Sequence, residues 1–175
     1  MKRIAIQGEL GSFHDITAHE YFQGEQIELI CCATFEEVFE NIKRDPTIIG
    51  ICAIENTIAG SLLHNYELLR ESGTTVVGEH KLHIEHSICC LPSDDWSTLQ
   101  EVHSHPVALM QCGKFLANHP DLKAVEAEDT AGSAAFIAQH QVHGWAAICS
   151  AYAARMYGMK VLQEGIHDNP HNYTR

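Results

Sequence analysis

A chain of 175 residues, 45% hydrophobic and 19% charged, has the composition of a globular protein, and its length suits one domain or two small lobes sharing a cleft. Its formal net charge of −12 argues against nucleic acid and anionic membranes as partners. It leaves room for a small anion, because helix N-termini and one or two arginines can bind one locally.

No stretch approaches the ~20 apolar residues that cross a bilayer. Met1–Ile6 run straight into a strand pattern, without a signal peptide's apolar core and cleavage site. A cytoplasmic protein is expected. The seven cysteines include two vicinal pairs, Cys31-Cys32 and Cys89-Cys90, and form no Cys-x-x-Cys. Neighbours on a strand point to opposite faces, so reduced, mostly buried thiols are expected. Thirteen histidines invite a metal reading. His103-x-His105 sits in a strand-like run, and His83, His86, His167 and His171 lie near junctions. No His-x-x-x-His with a nearby acid stands out, so exposed or hydrogen-bonded histidines, no metal and no cofactor are expected.

In chain order, Lys2–Gln7 reads as a strand. The Gly8–Ser12 turn follows, with Ser12 placed to cap a helix from Phe13 to about Phe22. Gln26–Cys32 is a second strand. Thr34 with Glu37 forms a capping box that opens a helix to about Arg44, with Phe35, Val38, Phe39 and Ile42 on one face. The run Ile48–Ile54 reads as a strand buried on both faces of a parallel sheet. It ends in the polar loop Glu55–Ser61. An amphipathic helix with Leu62, Leu63, Tyr66, Leu68 and Leu69 closes at Gly73, and Thr74–Gly78 reads as another strand.

Glu79–Glu85 reads as a linker between lobes. His86–Leu91 is a strand stopped by Pro92, and Glu101–Ser104 a shorter one. His105-Pro106 starts a helix with proline at its favoured first position, carrying Met110, Gln111, Cys112, Phe115 and Leu116. Lys123–Glu126 is a strand, and Glu128–Ser133 leads to a helix through Ala134, Phe136, Ile137 and Ala138. Gly144–Cys149 is a buried strand. Ser150 caps a helix over Ala151–Tyr157 that ends at Gly158, and Lys160–Leu162 is the last strand before the tail. This alternation predicts an α/β fold with parallel sheets.

In open α/β sheets, ligands bind beyond the carboxyl ends of strands. The stretches there are Gly8–Ser12, Glu55–Ser61, Ser104-His105, Glu128–Ser133 and Ser150. Helix capping accounts for the Ser, Thr and Asp. It does not account for Glu55, Asn56, Gln111 or Glu128. Cys112 lies mid-helix among apolar neighbours with no base placed for it, a poor nucleophile. In the tail, Thr174-Arg175 pairs a hydroxyl donor with a guanidinium suited to a carboxylate.

From residue 4 to the end, the chain resembles the prephenate dehydratase catalytic domain. Gly8-Glu9-Leu10-Gly11-Ser12-Phe13 stands for the family's Gly-Pro-x-Gly-Thr/Ser-Phe turn, and Ile54–Ser61 for its Ile-Glu-Asn-Ser/Thr-x-x-Gly-Ser run. Ser104–Cys112 answers to Ser-His-Pro-Gln-Ala-Leu-x-Gln-Cys, and Asp129–Ala135 to an acidic or Ser residue, Thr and small residues. Ile166-His167-Asp168 through Asn172-x-Thr174-Arg175 answers to Ile-x-Asp…Asn-x-Thr-Arg-Phe. The departures are Glu9 for Pro, Val107 for Gln, and an end before the Phe.

The resemblance implies two Rossmann-like α/β lobes with a central cleft, similar to type II periplasmic binding proteins. Residues 1–82 with 165–175 would form one lobe and 83–164 the other. It implies decarboxylating dehydration of prephenate to phenylpyruvate for phenylalanine synthesis, with Thr174 as proton donor to the leaving hydroxyl. Arg175 would bind carboxylate at the pyruvyl end. Asn56, Ser104, Gln111, Glu128 and Ser12 would bind substrate, as would Glu55, whose alternative role is to hold its loop or Arg175. A homodimer or homotetramer is implied, and phenylalanine as an effector only with an ACT regulatory domain, which these residues do not include. The rival readings are arogenate dehydratase and a non-catalytic anion-binding module on the same fold.

Overall fold

The computed structural model describes all residues, Met1–Arg175. The fold is α/β, and the chain forms two compact units. The first holds Met1–Glu9, Phe13–Ile84 and His171–Arg175, and the second holds Leu10–Ser12 and Glu85–Pro170. Gly165–Pro170, expected with the first lobe, therefore cluster with the second unit, and His83 and Ile84 with the first. No helix is long and apolar enough to cross a membrane.

The first unit begins with β1 (Lys2–Gln7), the middle strand of a parallel sheet in the order β2-β1-β3, with β2 at Ile27–Cys32 and β3 at Ile49–Gly50. Alternation along β1 serves two faces. Ile4 and Ile6 pack with Ala18 and Phe22, on and just after α1 (Phe13–Tyr21), while Ala5 packs with Cys32, Val38 and Ile48. The second helix, α2 (Phe35–Arg44), opens at the expected Thr34 cap, with the reciprocal Glu37 bond reaching one residue further back than in a capping box. Thr34 Oγ1 accepts from the Glu37 N–H at 3.3 Å, and the Glu37 carboxylate accepts from the Ala33 N–H at 2.8 Å.

The apolar run Ile48–Ile54 contributes only the two residues of β3 to the sheet, and at its edge rather than its centre. After Ile51, whose N–H bonds the Ala5 carbonyl at 2.9 Å, the chain leaves to build the hairpin of β4 (Glu55–Asn56) and β5 (Gly60–Ser61). Helix α3 (Leu63–Ser72) then ends at Gly73, whose φ of +67° is a left-handed cap. Thr74–Gly78 forms no strand. Val76 and Val77 are both exposed, so the stretch has strand propensity but no face to bury. Within the expected linker lies β6 (Leu82–His83).

In the second unit the strands are β7 (Ser87–Cys90), β8 (Glu101–Ser104), β9 (Lys123–Glu126), β10 (Trp145–Cys149) and β11 (Lys160–Gln163), in the order β11-β7-β10-β8-β9. The sheet is mixed rather than parallel. β10, β8 and β9 run together, while β7 is antiparallel to both β10 and β11. Ala146 and Ile148 of β10 enter one apolar cluster and Ala147 and Cys149 the other. The expected single helix after His105 is two, α4 (Pro106–Gln111) and α5 (Gly113–Ala117). The Asp168 carboxylate accepts from the Lys114 N–H at 3.0 Å, capping α5 where the first helix stops. Next come α6 (Thr130–His140), capped by Asp129, and α7 (Ala151–Met156), capped by Ser150. Leu10–Ser12 belong to this unit because they pack on α7. Tyr157 Oη donates to the Leu10 carbonyl at 2.5 Å, and Gly11 has φ +87° with its Cα facing Ala153.

The last strand, β12 (Tyr173–Thr174), lies in the first unit and completes an antiparallel sheet, β5-β4-β12-β6. No strand was expected in this tail.

At Gly50, α2 lies so close to β3 that a Cβ would sit 2.5 Å from Ile42 Cδ1 and 2.9 Å from Val38 Cγ1. Gly50→Val is expected to destabilise the first unit by about 1–3 kcal/mol through overpacking. Urea unfolding should show a lower midpoint with an unchanged slope. An unchanged midpoint would mean that Ile42 and Val38 move aside freely.

Candidate active site

The tail is held in the first unit by backbone pairing on both sides. The Arg175 N–H donates to the Glu55 carbonyl at 2.8 Å, and the Arg175 carbonyl accepts from the Ile54 N–H at 2.8 Å. On the other edge, the Ile84 N–H donates to the Asn172 carbonyl at 2.7 Å. Thr57 is a further brace: its hydroxyl donates to the His171 carbonyl at 2.7 Å and accepts from the Tyr173 N–H at 2.9 Å. Residues nearly 120 positions apart thereby share one small sheet, and Thr174 lies opposite Asn56.

The carboxamide of Asn56 organises this cluster. Its Oδ1 accepts from the N–H groups of Ile58 and Ala59, at 2.9 and 2.8 Å. An amide oxygen accepts and an amide nitrogen donates, so the turn decides which end of the side chain is which. The two Nδ2 hydrogens point to Asn172 Oδ1 at 2.8 Å and Thr174 Oγ1 at 3.0 Å. Asn172 is completely buried, whereas Thr174 is half-buried. Because Thr174 Oγ1 accepts the Asn56 N–H hydrogen bond, its own hydroxyl proton is directed elsewhere. Accepting that bond also polarises the O–H and makes it a better donor.

Arg175 lies beside this hydroxyl in sequence. Its guanidinium reaches the Glu55 carboxylate at 2.9 Å and the Glu79 carboxylate at 3.7 Å. All three side chains are substantially exposed, so these pairs orient Arg175 more than they stabilise the fold. Four expected site residues, Glu55, Asn56, Thr174 and Arg175, thus come together in one unit.

The others lie in the second unit. Ser104 is completely buried, and its hydroxyl donates to the Ile148 carbonyl at 2.6 Å, bracing β8 against β10. Ser12 is buried in the turn on α7. Glu128 is exposed ahead of α6, where Asp129 does the capping by accepting from the Gly132 N–H at 2.6 Å. Gln111 ends α4, is 8% exposed, and accepts at Oε1 from His86 Nε2 at 2.8 Å. Burial lowers the His86 pKa, which keeps the ring neutral. Sequence reasoning named His86 only as an exposed or hydrogen-bonded histidine near a junction, and Asn172 only as part of the tail motif, with no site role for either. The signal for Asn172 was the tail motif itself. For His86 there was only a polar residue entering an apolar strand.

Other polar side chains have structural partners. His103 bonds Glu101 at 3.0 Å and stacks on Trp145, and His105 Nδ1 accepts from the Val107 N–H at the start of α4. Burial pushes the Cys112 thiol up to about 12, so it is no nucleophile at neutral pH. All seven cysteines are free thiols.

The family model for prephenate dehydratase matches residues 4–175. Arogenate dehydratase 3 of Arabidopsis thaliana, chloroplastic, is 36% identical over 174 residues, which is 99% of this chain and 41% of that protein. The bifunctional chorismate mutase/prephenate dehydratase of Escherichia coli K12 is 32% identical over 175 residues, covering 99% of this chain and 45% of that protein. The chain therefore spans less than half the length of these relatives. Among solved structures, one described as a quorum-quenching acylase, GqqA, aligns with a TM-score of 0.86 at 28% identity, over 98% of this chain and 61% of that one. A prephenate dehydratase from Arthrobacter aurescens, solved with L-Phe, aligns with a TM-score of 0.87 at 21% identity, over 98% of this chain and 58% of that one, and shares the fold. With the family model matching nearly its whole length, the chain belongs to the prephenate dehydratase family.

Proposed function

We propose that this chain catalyses the decarboxylating dehydration of prephenate to phenylpyruvate, with Thr174 as proton donor. The observation that carries the reading is the Asn56–Thr174 hydrogen bond, in which the threonine oxygen is the acceptor and its proton is left to give. Prephenate loses its ring carboxylate as carbon dioxide, and the electrons of that C–C bond move into the ring. The ring's opposite C–O bond breaks at the same time, and its oxygen takes one proton to leave as water. The C–C cleavage needs no acid, so one positioned donor is enough. A free hydroxyl is a weak acid, and the donation is a strong hydrogen bond with transfer as the C–O bond breaks. Solvent then restores the proton. A donor of this kind contributes roughly 10²–10⁴-fold to rate.

Arg175, oriented by Glu55, takes the pyruvyl carboxylate. That placement leaves the ring carboxylate loosely held, as decarboxylation requires, since a tight grip on it would stabilise the ground state. Glu55 in this role serves the guanidinium rather than the anionic substrate. Asn56 directs Thr174, and Gln111 supplies a further polar contact to substrate. Acyl hydrolysis, the activity named for the GqqA neighbour, needs a base to take a nucleophile's proton. Asn56 donates to Thr174 instead, which favours the dehydratase reading.

Thr174→Val keeps the shape and removes the donor. It is expected to lower kcat by roughly 10²–10⁴-fold with the fold intact, while Thr174→Ser retains a large part of the activity. Turnover of Thr174→Val at the wild-type rate would exclude Thr174 as the acid. Asn56→Asp is the sharper probe. A carboxylate still accepts from Ile58 and Ala59, but its other oxygen becomes an acceptor facing Thr174. The hydroxyl proton then turns inward, and kcat is expected to fall by about 10²-fold or more in steady-state assays. A rate close to wild type would contradict the directional role of Asn56.

A further inference from the structure

The second unit contains a buried polar pair that the proton-donor cluster does not use. His86, 2% exposed, precedes β7, and Gln111, 8% exposed, closes α4. Their side chains meet at 2.8 Å between His86 Nε2 and Gln111 Oε1. An amide oxygen only accepts, so this contact requires the proton on Nε2 of His86. Both residues are pinned through their backbones to the segment Ile166–Asp168. The Ile166 N–H donates to the His86 carbonyl at 3.0 Å, and the Asp168 N–H donates to the Gln111 carbonyl at 2.7 Å. The Asp168 carboxylate also caps α5, which starts two residues after Gln111. The ring can therefore hold the amide against a fixed frame.

We propose that His86 is a positioning residue for Gln111: its Nε2–H holds the carboxamide oxygen, so that the amide presents its NH2 end to an oxygen of the substrate. The proposal rests on the reading of Gln111 as a substrate ligand. Loss of the His86 N–H removes a contact that favours this orientation over the reversed one, in which the amide oxygen would face an anion and repel it. The neutral ring suits the task, because it fixes the amide without adding a charge. It also ties the amide direction to the His86 tautomer, since only an Nε2–H can be accepted by the amide oxygen.

The test is steady-state kinetics on the whole chain with prephenate. His86→Leu is expected to raise KM about tenfold, with a smaller change in kcat. His86→Gln, whose amide N–H reaches the place of Nε2–H, should return KM to within about threefold of wild type. Gln111→Leu should raise KM at least as much as His86→Leu, and the double variant should be no worse than Gln111→Leu alone. Equal losses for His86→Leu and His86→Gln, or additive losses in the double variant, would overturn the positioning role while leaving Gln111 as a ligand. An unchanged KM in Gln111→Leu would instead remove the reading on which the proposal rests. A long-range 1H–15N NMR spectrum of the unaltered chain supplies a check independent of variant folding. It should show His86 protonated at Nε2 and bare at Nδ1, and the opposite tautomer would refute the proposal.

Discussion

The candidate chemistry of the first unit depends on one side chain whose hydrogen-bonding capacity is filled in a definite direction. Asn56 accepts two backbone hydrogen bonds from its own turn and donates two to the tail, one to Asn172 and one to Thr174. Reversing the amide would set its NH2 against two N–H groups and its oxygen against the Asn172 oxygen. Each mismatch in such a half-buried place costs on the order of 1–3 kcal/mol, which makes the observed direction strongly preferred. The tail sheet supplies the frame. It is short, but each edge of β12 is bonded, and Thr57 adds two more bonds to it. A hydroxyl on a frame of this kind loses little freedom when it meets a substrate, which is what a positioned donor requires.

Much of this arrangement was legible in the sequence where the cause was local. The alternation along Lys2–Gln7 and the Thr34–Glu37 box each carry their own instructions, and both elements form as read. Glu55 and Asn56 stood out as residues beyond a strand that capping does not explain, and Thr174 and Arg175 as a hydroxyl donor beside a guanidinium, but only the motif blocks joined the four into one site. Their meeting depends on pairing between segments nearly 120 residues apart, for which no local pattern exists. The same reason hid β12: two residues bounded by a Pro-His-Asn loop show no strand period.

Where tertiary structure overruled local preference, the reading went astray. Thr74–Gly78 has strand-forming residues but no partner strand and no buried face. The helix after His105 reads as continuous, yet Asp168, far along the chain, caps a new helix at Gly113–Ala117. The sheet of the second unit is mixed because β7 runs against both its neighbours, and strand direction leaves no mark in an apolar run.

Product formation by the unaltered chain from prephenate, with arogenate as the parallel substrate and no metal or cofactor added, bears most directly on Thr174 as the proton donor. The account predicts phenylpyruvate from prephenate well above the acid-driven background, and faster than phenylalanine from arogenate. Turnover of arogenate alone would keep the elimination chemistry and overturn the substrate. Binding of prephenate without release of phenylpyruvate or carbon dioxide would contradict the account, because a directed Thr174 proton would then serve no reaction.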